Sequence, residues 1–88
     1  MKYVDYGYVR INLQQIMEEQ NISINKLAFR AEMQRTQLKS YIKNDVQRLD
    51  ISVLARLCYA LECSLSDLIE YIPPMIQTIS NVLHIKQS

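Results

Sequence analysis

The sequence predicts an all-α fold: one domain of five short helices, flanked by an extended N-terminal arm and an amphipathic C-terminal extension. Three observations predict it. Gly occurs once and Pro twice in 88 residues, and so few turn formers disfavour a β-sandwich and favour helices joined by short connections. Apolar residues recur at helical spacing in successive short segments, most of them opened by a residue type that caps helix N-termini. Pro73 and Pro74 then stop the pattern, because proline cannot continue an α-helix comfortably. An apolar fraction of 49% allows one small core, and 22% charged residues keep the chain soluble. The expected organisation is an arm over residues 1–10, a domain over 11–74 and an extension over 75–88.

Met1 to Arg10 is rich in Tyr and Val and has no helical period, so it reads as an extended arm or a short strand. Tyr3, Tyr6 and Tyr8 admit two roles. The arm either stacks on a nucleic acid or packs on the domain, pairing with Glu70–Ile72 as a two-stranded ribbon; we favour the second. Asn12, with Gln15 three residues on, has the spacing of a capping box for a first helix carrying Leu13, Ile16, Met17 and Gln20 on one face. Asn21 suits a left-handed stop, with Ile22 packing back on the last turn. Ser23 caps a second helix, about Ile24 to Ala31, that buries Leu27, Ala28 and Ala31. A turn at Glu32 and Met33 leads to a third helix, about Gln34 to Lys43, that buries Leu38, Tyr41 and Ile42, with Asn44 as its left-handed stop. Asp45 to Asp50 is a polar loop anchored by Leu49. Ser52, in preference to Asp50, caps a fourth helix carrying Leu54, Leu57, Cys58 and Leu61. Ser64 and Asp67 have capping-box spacing for a fifth, which buries Leu65, Leu68, Ile69 and Ile72. Beyond the prolines, Met75, Ile76, Ile79, Val82 and Leu83 form a helical stripe that must dock on its own domain or on a second chain.

Net charge is only +1, but it is unevenly distributed. Ser23 to Arg48 holds Lys26, Arg30, Arg35, Lys39, Lys43 and Arg48 against Glu32 and Asp45, a net of +4. Leu49 to Pro74 holds Arg56 against Asp50, Glu62, Asp67 and Glu70, a net of −3. Such a chain can present one face suited to phosphates. Other chemistry finds little support. Cys58 and Cys63 are not a C-x-x-C pair, and the lone His84 cannot complete a zinc site with them, so neither a metal nor another cofactor is expected. Cys58 reads as a small core residue and Cys63 as half-exposed. Glu18 with Glu19, and Glu62 with Asp67, lack a His, Ser or Cys partner for a catalytic set, so an enzyme is not expected. No apolar run approaches the roughly 18 residues that cross a membrane, and the N-terminus does not read as a signal peptide. The compartment expected is the cytoplasm.

The informative stretch runs from Ile24 to Tyr41. Two short helices that cross steeply need a small residue at closest approach, which is Ala28. They need Leu27 and Ala31 facing in, Met33 plugging the turn, and Leu38 and Tyr41 on the inner side of the second helix. Its solvent side is then Arg35, Thr36, Lys39 and Ser40, side chains that can read base edges in a major groove wide enough to admit a helix. From Val9 to Pro74 this pattern resembles the lambda-repressor and Cro-like helix-turn-helix regulators (the XRE type). The segments Leu57 to Cys63 and Asp67 to Pro73 look especially like its short single-domain members. The family usually has Gly in the turn, where this chain has Glu32.

The resemblance implies a five-helix lambda-repressor-like fold that binds double-stranded DNA and regulates transcription as a homodimer, with recognition helices about 34 Å apart. Arg35, Thr36, Lys39 and Ser40 would contact bases: Arg35 a guanine, Thr36 a thymine methyl. Gln34, Gln37 and Lys43 on that helix, and Ser23, Asn25 and Lys26 at the start of the preceding one, would contact phosphates, as would Gln47 and Arg48 in the loop beyond. Short proteins of this fold also serve as antitoxins, in which case the Met75–Leu83 stripe would bind a partner protein.

Overall fold

The computed structural model describes residues 4–74. Tyr3 and the Met75–Leu83 stripe lie outside the described residues. The elements are β1 (Tyr8–Ile11), α1 (Leu13–Gln20), α2 (Ile24–Ala31), α3 (Arg35–Ile42), α4 (Ile51–Leu61), α5 (Leu65–Leu68) and β2 (Ile69–Ile72). Among the described residues the chain is mostly helical, with the five expected helices, and a small two-stranded sheet is added to them. β1 and β2 pair antiparallel, with Tyr8 opposite Ile72, Val9 opposite Tyr71, Arg10 opposite Glu70 and Ile11 opposite Ile69. The ribbon expected between the Tyr-rich segment and Glu70–Ile72 is present. It shortens α5, which ends at Leu68. The expectation that Leu65, Ile69 and Ile72 are buried on one helix is thus corrected: Leu65 is 49% exposed, and Ile69 and Ile72 are half-buried strand residues. Ladder hydrogen bonds to β1 satisfy the backbone there better than one more helical turn ending at two prolines would. At the far end of the ribbon Gly7 adopts φ +80, and a Cβ there would run into the Ile72 carbonyl oxygen.

One core holds the helices together. Leu13, Leu27, Leu38, Leu57, Leu61 and Leu68 are fully buried, one or two from each helix. α2 packs on both α3 and α4, and α1 packs on α3. Val53 and Ala60 join the core while Cys58 stays half-buried at its margin, so the buried face of α4 is rotated slightly from the expected stripe. Val46, not Leu49, is the apolar anchor of the loop before α4, since Leu49 is 36% exposed.

The helix ends explain how the chain turns so often with a single glycine. Asn21, Glu32, Asn44 and Glu62 all lie at φ between 51 and 60. Each closes its helix with a paired hydrogen-bond motif, as where Glu32 N–H donates to Phe29 O and Met33 N–H to Ala28 O. Ile22 and Met33, which follow the first and second of these stops, are buried. Ser23 caps α2 by accepting from Lys26 N–H at 3.2 Å, and Ser64 and Asp67 form a reciprocal capping box on α5. Two expected caps differ. Asp50, not Ser52, caps α4: its Oδ1 accepts from Ser52 N–H at 2.9 Å and from the Ser52 hydroxyl at 2.7 Å. A carboxylate two residues earlier reaches the free amides and also collects the Ser52 hydroxyl. Asn12 stands at the N-cap of α1 without capping it. As the residue following β1, it is drawn to the ribbon: its N–H donates to Leu68 O at 2.7 Å and its side chain accepts from Arg10 Nε at 3.1 Å. Gln15 consequently forms no capping box and instead reaches Glu19.

Two expectations follow. A left-handed non-glycine residue costs about 1 kcal/mol, so Glu32→Gly should raise stability by about that amount in chemical denaturation. The Arg56 bond to the Glu32 carbonyl is to backbone and survives the change. Second, the carboxylates of Asp50, Asp67 and Glu70 are held below their ordinary range, by bonds from Ser52, from Ser64 and from Arg10 respectively. A carboxylate lowered in the folded state stabilises it above its ordinary pKa, and that contribution is lost as pH falls through the folded value. Thermal melts should therefore show the difference between wild type and Glu70→Gln narrowing from about pH 6 to about pH 3.

Candidate nucleic-acid interface

α3 is eight residues long, and Leu38 and Tyr41 fix its inner face. At 100° per residue the opposite face carries Arg35, Lys39 and Lys43 in one row and Thr36 and Ser40 beside it. Arg35, Thr36, Lys39 and Lys43 are exposed. Ser40 is half-buried and its hydroxyl donates back to Thr36 O at 3.3 Å, which turns it toward its own helix. Gln37 is exposed on the flank of the helix. Gln34 holds the N-cap position in extended backbone without a side-chain cap, so the first amides of α3 have no side-chain acceptor.

The preceding helix brings a second set of groups. Ser23, Asn25 and Lys26 are exposed at the start of α2. Ser23 Oγ is occupied as an acceptor, but its hydroxyl proton remains available to a phosphate oxygen. The angle between α2 and α3 is set by Glu32 in its left-handed conformation (φ 54) and by Met33, 8% exposed beneath the turn. Arg56 on α4 donates from Nη1 to the Glu32 carbonyl at 3.1 Å and so braces the turn from the neighbouring helix.

Beyond α3 the chain bends at Gln47 and Arg48, both exposed. The loop is tied at both ends. Asn44 Oδ1 accepts from Ile11 N–H at 2.6 Å while its Nδ2 donates to Ile11 O at 3.0 Å. Asp50 N–H donates to the hydroxyl of the buried Tyr41 at 3.4 Å. Asn44, Arg56 and the Tyr41 hydroxyl were not among the sequence-predicted site residues. Asn44 reads in sequence as a helix stop, and nothing local marks a partner 33 residues earlier.

The electrostatics favour an anion. Among the described residues the only ion pair joins Arg10 to Glu70 at 2.8 Å, on the ribbon. Lys26, Arg35, Lys39, Lys43 and Arg48 thus carry no carboxylate partner among those residues, and their charge is available to phosphates. The other chemistry-bearing groups lie elsewhere. The Cys63 thiol is pushed up to about 11 by burial and by its neighbour Cys58, which keeps it protonated at neutral pH. Among the described residues no group of three or more His, Cys, Asp or Glu side chains converges on a metal position, and no helix is long and apolar enough to cross a membrane.

The fold has a counterpart among solved structures. The crystal structure of the transcriptional regulator VanUg superposes with a TM-score of 0.63 at 20% identity, covering 84% of this chain and 97% of that one. Comparison with curated proteins finds no match. The family model of the Cro/C1-type helix-turn-helix DNA-binding domain matches residues 12–74, and the chain belongs to that family.

Proposed function

We propose that this protein is a transcriptional regulator, acting as a repressor, that reads a specific double-stranded DNA site through α3 and binds it as a homodimer. The observation that carries the reading is the outer face of α3: Arg35, Lys39 and Lys43 in one exposed row, without carboxylate partners among the described residues. In this reading Arg35 and Thr36 contact base edges near the start of the helix, and Lys39 and Ser40 contact them one turn on. Ser23, Asn25 and Lys26 hold one phosphate strand. Gln34, Gln37, Lys43, Gln47 and Arg48 hold the other contacts to the backbone, which set register without carrying sequence. Segregation of charge, rather than net charge, accounts for the attraction.

Dimerisation has support of its own. Ile51 and Tyr59 on α4 are 84% and 85% exposed, and Phe29 on α2 is 85% exposed, apolar side chains that a second copy of the chain would cover. The same observation favours the second reading, an antitoxin-like module that covers these side chains with a partner protein. Salt distinguishes the readings, since affinity built on phosphate contacts falls steeply with ionic strength and an apolar interface changes little.

The test is selection from a random-sequence duplex pool at two salt concentrations, with wild type and Arg35→Ala/Lys39→Ala. Wild type should enrich a palindromic motif, and the double variant should lose it. Arg35→Ala alone should cost about 1–3 kcal/mol and relax one base position per half-site. Wild type that shows no salt-sensitive binding at all would overturn the reading.

A further inference from the structure

We propose that Asn44 is the positioning residue of the DNA interface. Its carboxamide, seated on the outer edge of β1 like a short third strand, fixes the loop that carries Gln47 and Arg48 relative to α3. The inference rests on the DNA-binding reading and deepens it.

The argument starts from the pairing of the ribbon. In an antiparallel pair, successive residues point their backbone N–H and C=O alternately toward the partner strand and away from it. Ile11 N–H and C=O are both taken by Asn44, at 2.6 and 3.0 Å, so Ile11 faces outward from β2. Asn12 N–H, one residue on, turns back to Leu68 O at 2.7 Å. A carboxamide has one donor side and one acceptor side, as a peptide group does. Asn44 therefore satisfies both outward groups of Ile11 at once, as an added strand would.

That side chain projects from a residue with φ 60 just past Lys43, the C-cap of α3. Asn tolerates this conformation better than most residues, which accounts for the helix stop. It does not account for the bidentate contact with β1. Asn44 N–H donates to Tyr41 O and Asp45 N–H to Ser40 O at 2.8 Å, so the latch continues the last turn of the recognition helix without slack. At the other end of the loop, Asp50 bonds to the Tyr41 hydroxyl while capping α4. Between these ties only Val46 is packed on the core. The direction in which Gln47 and Arg48 leave the domain is then set at Asn44, on a ribbon that takes no part in base reading. Glycine at 44 would keep the left-handed backbone and remove only the latch, which makes Asn44→Gly the informative variant.

The experiment compares wild type, Asn44→Gly, Arg48→Ala and the double variant. In the free proteins, Asn44→Gly should leave the Tyr8 and Arg10 amides protected from hydrogen exchange. It should accelerate exchange of the Ile11 amide at least about tenfold and increase the backbone mobility of residues 45–49. On the selected duplex, Asn44→Gly should weaken binding about as much as Arg48→Ala does, with the salt slope reduced by about 1 in each. Arg48→Ala should then add less than about twofold in the Asn44→Gly background, since neighbouring contributions that act together are not additive. An unchanged loop in free Asn44→Gly, or full additivity of the two substitutions on DNA, would overturn the proposal. If wild type fails to bind any duplex, the DNA-binding reading falls instead, and the exchange and mobility of the free proteins still decide whether Asn44 positions the loop.

Discussion

The orientation of α3 depends on the turn between Ala31 and Arg35, where Glu32 holds a left-handed backbone at φ 54 and hands the chain to a buried Met33. The outward face of the recognition helix presupposes that turn. Leu27 and Ala31 on one side of it and Leu38 and Tyr41 on the other enter the same core. Arg35, Thr36 and Lys39 face outward only because those four face in. The strain of a β-carbon at this position is opposed by three hydrogen bonds to backbone carbonyls: two from the helix-end motif, and one from the Arg56 guanidinium on α4 to the Glu32 carbonyl. An unusual residue in the turn thus coincides with bracing from outside the pair of helices.

The ribbon supplies a second constraint, acting on the far end of the recognition helix. β1 and β2 lie nearly sixty residues apart in sequence, and their pairing joins the two ends of the domain. The Arg10–Glu70 pair is half-exposed on each side, so its net contribution to stability is small. Its Glu70 carboxylate also accepts from the Asn12 side chain. The more consequential contact is that between Asn44 and Ile11, which ties α3 to a sheet edge and occupies the outward backbone groups of Ile11.

Much of this architecture is legible in the sequence because its signals are local. The Ser23 cap, the Ser64–Asp67 capping box, the left-handed stops at Asn21 and Asn44, and the apolar spacing of α2 and α3 each involve residues within one or two helical turns. The misreadings, the Asp50 cap excepted, share the opposite property. Ile69 and Ile72 continue the helical spacing of Leu65 and Leu68, and only the presence of β1 across the fold converts them to strand. Asn12 has the residue type of a cap but is claimed by Leu68 and Arg10. Asp50 and Ser52 both suit a cap, and the carboxylate prevails because it serves two amides and a hydroxyl together. Asn44 was legible as a stop but not as a latch, since its partner is set by tertiary structure alone. For the candidate interface, residue type and helical face were readable for α3, while the back-bonding of Ser40 and the bracing by Arg56 were not.

The central claim is that α3 and the start of α2 form the surface that meets DNA. Backbone amide shifts on titration of the full chain with a duplex test it most directly. The account predicts that the largest changes fall on residues 23–26, 34–43 and 47–48 and diminish as salt is raised. Changes confined to the outer face of α4 around Ile51 and Tyr59, with α3 unperturbed, would contradict it.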